Sequence, residues 1–405
     1  MGGVNLNTKA KKKWSVLIYA NGNNELEPEM WCVKQLAERL GSDENVHVIL
    51  QLGREDRELA KIFRPGTGFL KPEEMWTGVR RYYVEQGHSV LQEDMGKINM
   101  AHPTALYEFL FWAMTSYPAQ QYTLILGGHG YQFVGAMTDY SQSTPYIMGI
   151  PGISQGINMA CCETGCKIDL LILDICYFNF IEVLYELGKY QEPSIDNVLT
   201  YIVNGPISGL PVNQIIGLLQ QKPKLSARQI TCELINRVPF VDLVAFEINH
   251  HRLETIKQSF HQLAQIYLTS SDKELSMFEL LQSSKPELPW HNVRSQIILN
   301  MFSLIIHHKR NTNNHQSLIN VANNRSSDRD KIALYSKLAF AKDNDWVYLL
   351  SDKTHRPQQM KGNELEPVSL KRDALYAYIS TMNPYKNEEE KKNILRSLFR
   401  YRGWS

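Results

Sequence analysis

No stretch of this 405-residue chain stays apolar for the roughly 18 residues a helix needs to cross a bilayer. An excess of one charge is missing too. Forty-three Lys and Arg face 42 Asp and Glu, a formal net charge of +1, and nothing in this balance suggests nucleic acid as a bulk partner. The chain has no internal repeat, no Gly-x-Gly-x-x-Gly run and no Walker lysine, which argues against a nucleotide-binding protein. Cysteine is sparse, with six in all: Cys32, Cys161, Cys162, Cys166, Cys176 and Cys232. Lys9 and Lys11–Lys13 precede Trp14–Ala20, which is too short and wrongly flanked for a signal peptide. From this the expectation is a cytoplasmic protein with free thiols rather than a disulfide frame. The composition, 43% hydrophobic and 21% charged, is that of a soluble globular protein long enough for a large core.

Two stretches carry chemistry. In Lys167–Tyr190 the run Ile168–Leu173, interrupted only by Asp169, reads as a strand buried on both faces. It meets Asp174 and Cys176, and then Phe178, Ile181, Leu184 and Leu187 recur at helical spacing. Cys176 therefore stands where a buried strand gives way to a helix, at the end of an α/β strand where sites are built. A helix N-terminus there favours thiolate. The competing reading is a small buried hydrophobe, the common fate of a free cysteine. The second stretch, Tyr122–Gly130, is another apolar run. It ends at His129 among Gly127, Gly128 and Gly130, glycines that let the backbone turn tightly and approach a ligand. Two buried strands, one ending in His129 and one in Cys176, point to a Cys–His dyad, with amides around Gly130 as oxyanion donors.

The blocks around these strands resemble the clostripain family of cysteine peptidases, in the caspase-like clan. Trp14–Pro28 is similar to the family's first strand and its Asn/Asp-rich turn, and Asn45–Arg54 to its second strand. Ile98–Gly130 is similar to its run from an Asn-Met segment through a helix to the histidine, and Tyr335–Leu350 to a later segment with the same Phe-Ala and Trp spacing. The resemblance spans roughly 14–350 and is weakest at about 205–330. It implies a caspase-like three-layer α-β-α sandwich with a mostly parallel central sheet and a mainly helical C-terminal extension. Strand–helix alternation with short connections argues for the same class. The expected division is a mobile basic arm at 1–13, a peptidase core at 14–265, a mainly helical part with a possible strand at 266–350, and a partly helical tail at 351–405.

Smaller elements follow from local pattern. A helix over Pro28–Leu40 is stopped by Gly41, and a two-stranded excursion over Val79–Leu91 turns near Gln86-Gly87. Helices are expected at Pro103–Ser116, Ile153–Ala160, His250–Tyr267 and Asn387–Arg402, and further strands at Asn197–Val203 and Phe240–Glu247. Ser317–Val321 could pair as a strand. Cys161–Cys166 resembles half a zinc site but has no second half at zinc spacing, so it reads as a loop of small residues. His250-His251 and His307-His308 read as helix-surface residues, because neighbours on a helix diverge.

The resemblance implies a cysteine endopeptidase in which Cys176 attacks the scissile carbonyl and His129 protonates the leaving amine. Gly130 and Cys176 would supply oxyanion amides, and no third triad member is evident. Asp174 matches the family position at the base of the S1 pocket, where a carboxylate selects Arg or Lys at P1; it could instead cap the next helix. Asn204 stands where the family often carries a second acidic residue. Many members are zymogens cut between the two site strands after a basic residue, yet no Lys or Arg occurs between Tyr131 and Cys166. The protein is therefore expected to be active uncut, or to be switched by another protease, a regulatory partner or calcium, which the resemblance allows as a cofactor. The alternative is a caspase-like binding or scaffold module with an unproductive dyad.

Overall fold

The fold is given by a computed structural model that describes residues 11–64, 74–269, 280–281, 286–311, 317–323, 329–350 and 365–404. The chain runs β1 (Lys12–Gly22), α1 (Glu27–Glu38), β2 (Val46–Arg54), α2 (Arg57–Phe63), β3 (Gly78–Glu85), β4 (His88–Gly96), α3 (Pro103–Ser116) and β5 (Ala119–Gly127). It continues with β6 (Gly135–Asp139), β7 (Tyr146–Gly149), α4 (Ile150–Thr164), β8 (Ile168–Asp174), α5 (Ile181–Leu187), β9 (Ile195–Tyr201), α6 (Val212–Gln221), α7 (Ala227–Arg237), β10 (Leu243–Glu247) and α8 (His250–Thr269). After these come a helix at His291–Ser303, β11 (Ile305–Lys309), helices at Arg329–Ser336 and Trp346–Leu350, β12 (Val368–Ser369), and helices at Arg372–Met382 and Glu388–Arg402.

The apolar runs bury both faces, and residue parity sorts them. Leu17, Tyr19, Leu124, Leu126, Leu171 and Leu173 enter one core, while Val16, Ile18, Ile125, Leu170 and Ile172 enter the other. The strands form a nine-stranded sheet in the order β11-β10-β9-β8-β5-β1-β2-β3-β4. Its central strands β9, β8, β5, β1 and β2 are parallel, and the hairpins at either edge are antiparallel. Parallel strands need covering on both faces, and α1, α6 and α7 cover one while α3, α4, α5 and α8 cover the other. This is the three-layer α-β-α sandwich of a caspase-like fold, with added C-terminal helices. The turn at Gln86-Gly87 and the stop at Gly41, both glycines at positive φ, are as expected.

Several local expectations are corrected. Cys161–Thr164 is the last turn of α4, not a loop, and Gly165 ends that helix in the left-handed conformation. His307 and His308 lie on β11, opposite Ala245 and Val244, because Ile305 and Ile306 favour an extended edge strand over a helix. Ser317–Val321 contributes a single parallel bridge, Phe180 to Asn320, rather than a strand. The segment after 365 folds back on the core. β12 adds to β7 in a second, three-stranded sheet, and Leu370, Leu375, Ile379, Leu395 and Leu398 pack with Leu59, Phe63, Tyr140 and Ile147. The expected mobile arm at 1–13 falls largely on residues 1–10, outside the described residues; β1 begins at Lys12.

Candidate active site

Four parallel strands deliver four groups at their carboxyl ends. β1 leads into the turn that carries Glu25, β5 into Gly128-His129-Gly130, β8 into Asp174 and Cys176, and β9 into Asn204-Gly205. His129, Gly130, Asp174, Cys176 and Asn204 line one cavity of about 880 Å³. The expected site residues are thus brought together.

The His129 and Cys176 loops touch. A Cβ on Gly130 would fall 2.5 Å from the Cys176 carbonyl oxygen and 2.4 Å from Ile175 Cγ2, so only glycine permits this approach. Tyr177, directly after Cys176, takes φ +58, a strained value for a residue with a side chain, at the point where the chain leaves the sheet. Its N–H donates to Val203 O at 2.9 Å, which ties the turn to the end of β9. Here the expectation of an immediate helix is corrected. α5 starts only at Ile181 and has seven residues, so no helix N-terminus activates the thiol. Burial instead pushes the Cys176 thiol up; the Gly205 N–H, donating to Sγ at 3.4 Å, opposes this, and the Asp174 charge adds to it. Among the described residues, the amides of Gly130 and Cys176 donate no hydrogen bond.

Asp174 is buried. Its Oδ1 accepts from the Tyr201 hydroxyl and its Oδ2 from Leu210 N–H at 3.0 Å, while Gly209 lies so close that a Cβ there would be 2.4 Å from Oδ2. Desolvation pushes the carboxyl up, against these two donors. Asn204 is exposed and donates from Nδ2 to Tyr177 Oη at 2.9 Å.

Sequence reasoning missed two residues. Glu25 is fully buried, and its Oε1 lies 2.8 Å from His129 Nε2. Burial alone would raise this carboxyl, yet it is held below the usual range by His129 and the Tyr378 hydroxyl. The turn that carries it is pinned: Asn23 Nδ2 donates to Asp139 Oδ2 at 2.8 Å, and Asn24 Nδ2 to Thr138 O at 2.8 Å. The Asn-rich sequence before Glu25 was the available signal. Tyr378 comes from the far end of the chain, and its hydroxyl lies 2.8 Å from Nδ1 and 2.5 Å from Nε2 of His129. Nothing in the local sequence announced it.

The clostripain-family model matches residues 18–351. The chain belongs to the clostripain family. It is a cysteine-type peptidase, and its substrates are proteins or peptides. No curated protein matches it. Among solved structures, the peptidase is similar to a secreted C11 cysteine protease from Bacteroides thetaiotaomicron, in complex with an irreversible peptide inhibitor: 13% identity, 82% of this chain and 99% of the other, TM-score 0.55. It is likewise similar to an inactive zymogen C11 protease from Parabacteroides distasonis: 14% identity, 83% and 99% coverage, TM-score 0.57. At this identity they support the fold. The expected cytoplasmic location is withdrawn, because the Bacteroides relatives are described as secreted. Among the described residues no helix is long and apolar enough to cross a membrane.

Among the described residues, no group of three or more His, Cys, Asp or Glu could hold a metal ion. No step is derived through a metal.

Proposed function

We propose that this peptidase cleaves peptide bonds after Arg or Lys, with Cys176 as nucleophile and His129 as its acid and base. The observation that carries the reading is the convergence of His129, Cys176, Asp174 and Asn204 on one cavity from adjacent strand ends. The thiol rests protonated. As substrate binds, its proton passes to His129 and Sγ attacks the scissile carbonyl carbon, whose oxygen takes the negative charge against the Gly130 and Cys176 amides. The C–N bond breaks, the amine leaves with the proton from His129, and water activated by His129 then hydrolyses the thioester and restores the thiol. Glu25 is a positioning residue: paired with Nε2, it fixes the ring and favours the imidazolium that forms in each half-reaction.

Asp174 supports the basic preference. A guanidinium or ammonium at P1 gives this buried carboxylate the countercharge that the protein's own neutral donors do not. Asn204 contributes a polar edge without charge, so selectivity rests on one carboxylate.

The test is hydrolysis of fluorogenic peptides varied at P1 by the purified full chain. Cys176→Ala should abolish turnover. Asp174→Asn should lower kcat/KM for Arg and Lys peptides by about 10- to 100-fold, while turnover of the best neutral P1 peptide changes little. A neutral or acidic P1 optimum in the unaltered protein would overturn the specificity, and turnover by Cys176→Ala would overturn the nucleophile.

A further inference from the structure

The part of the chain beyond the family match reaches into the cleft. The match ends at 351, and the segment 365–404 lies outside it. β12 pairs with β7, Val368 facing Ile147. The helix Arg372–Met382 then runs along the cavity, and Ala374, Ala377, Tyr378 and Met382 form part of its wall. Lys371 pairs with Asp330 on the helix Arg329–Ser336, joining two walls of the cleft. The segment is anchored in the third core, which does not include His129 or Cys176: Leu398 is fully buried there, Asn383 Nδ2 donates to Phe63 O at 3.0 Å, and Trp404 Nε1 donates to Gln142 O at 3.0 Å.

At its centre Tyr378 meets His129. The rings pack edge-on with centroids 4.6 Å apart, and the hydroxyl is within hydrogen-bond reach of both ring nitrogens. Glu25 already holds Nε2. Among the described residues the thiol of Cys176 has Gly205 N–H as its hydrogen-bond partner, and His129 is not one. Burial and the nearby Glu25 charge push the phenol well above its usual range, so it stays protonated between Glu25 and the imidazole.

We propose that residues 365–404 are a built-in inhibitory strap, which narrows the substrate cleft and uses the Tyr378 hydroxyl to keep His129 from Cys176. The proposal rests on the reading of Cys176 and His129 given above. It deepens that reading by locating the control of the site in the chain's own C-terminal segment. Removal of the strap frees a ring nitrogen for the thiol proton and opens the wall through which an extended peptide must pass. From Tyr131 to Cys166 the chain has no Lys or Arg, and the first basic residue before Cys176 is Lys167, at the foot of β8, so control by displacement of the strap fits this sequence.

Two full-length variants test it. Tyr378→Phe keeps the ring in place and removes the hydroxyl. Leu398→Asp puts a charge into the buried anchor and loosens the segment at a residue that does not line the cavity. Iodoacetamide alkylation of Cys176, followed by peptide mass mapping at neutral pH, reads the thiol independently of substrate choice. Hydrolysis of a fluorogenic peptide with Lys at P1 reads the cleft. Leu398→Asp should raise both rates at least tenfold over the unaltered protein, and Tyr378→Phe should raise the alkylation rate, with circular dichroism unchanged. Rates unchanged or lowered in both variants, with Cys176 still alkylated faster than Cys162, overturn the strap alone. If Cys176 reacts no faster than Cys162 in any variant, the nucleophile reading fails, and the strap fails with it.

Discussion

Glu25 is a fully buried carboxyl held below the usual carboxylate range, and such a group persists only where donors or charge meet it. The partner it meets in the site is His129, whose Nε2 lies 2.8 Å from Oε1. Glu25→Gln keeps the shape and removes the charge, so kcat should fall on the order of 100-fold while KM stays within about threefold. Glu25→Asp should recover part of the loss. A merely structural carboxylate would instead change the melting temperature and KM together. This residue shows what was hidden in the sequence. His129 and Cys176 were legible because each ends an apolar run. The tie between Glu25 and His129 depends on β1 lying beside β5, which no local pattern states. Asp174 was legible as a site residue, but its Tyr201 and Leu210 partners were not, since they arrive from the next strand and the loop beyond it.

At the scale of elements, the short helix α5 links the Cys176 turn to the C-terminal half of the fold. Its Glu182 is buried, and Oε1 accepts from Ala322 N–H at 2.9 Å and from the Tyr335 hydroxyl at 3.0 Å. Desolvation outweighs these donors and pushes the carboxyl up to about 7. A group whose folded value is raised binds its proton more tightly in the native state. Its contribution is fully present below the unfolded value of 4.5 and is lost as pH rises through about 7. Urea denaturation of the unaltered protein should therefore show stability declining between about pH 5 and pH 8, and Glu182→Gln should make that decline shallower, the raised Asp139, Asp169, Asp174 and Asp196 supplying the rest. An identical slope in the variant would mean that Glu182 is not the titrating group. Helix and strand types were readable here wherever period was strong, as in α3 and α8. They failed where few residues decided the matter: Cys161–Thr164, which propagates α4 by one more turn, and His307-His308, drawn into β11 by pairing with β10.

Across the whole molecule, the central parallel strands and their covering helices were visible as buried runs with short connections. What could not be read was the return of the C-terminal segment, because β12 is two residues long and its partners lie more than two hundred positions earlier. That return places Tyr378 against His129, 249 residues away in sequence. Distant strand ends would thus assemble a single thiol peptidase site in which Cys176 is the reactive cysteine. The most direct measurement is mass mapping of the protein, unaltered and as Leu398→Asp, after reaction with a peptidyl chloromethyl ketone ending in Lys. One adduct is expected, on Cys176, formed faster in Leu398→Asp and lost in His129→Ala. An adduct spread over the exposed Cys32 and Cys162, or one on Cys176 that forms equally well without His129, would contradict it.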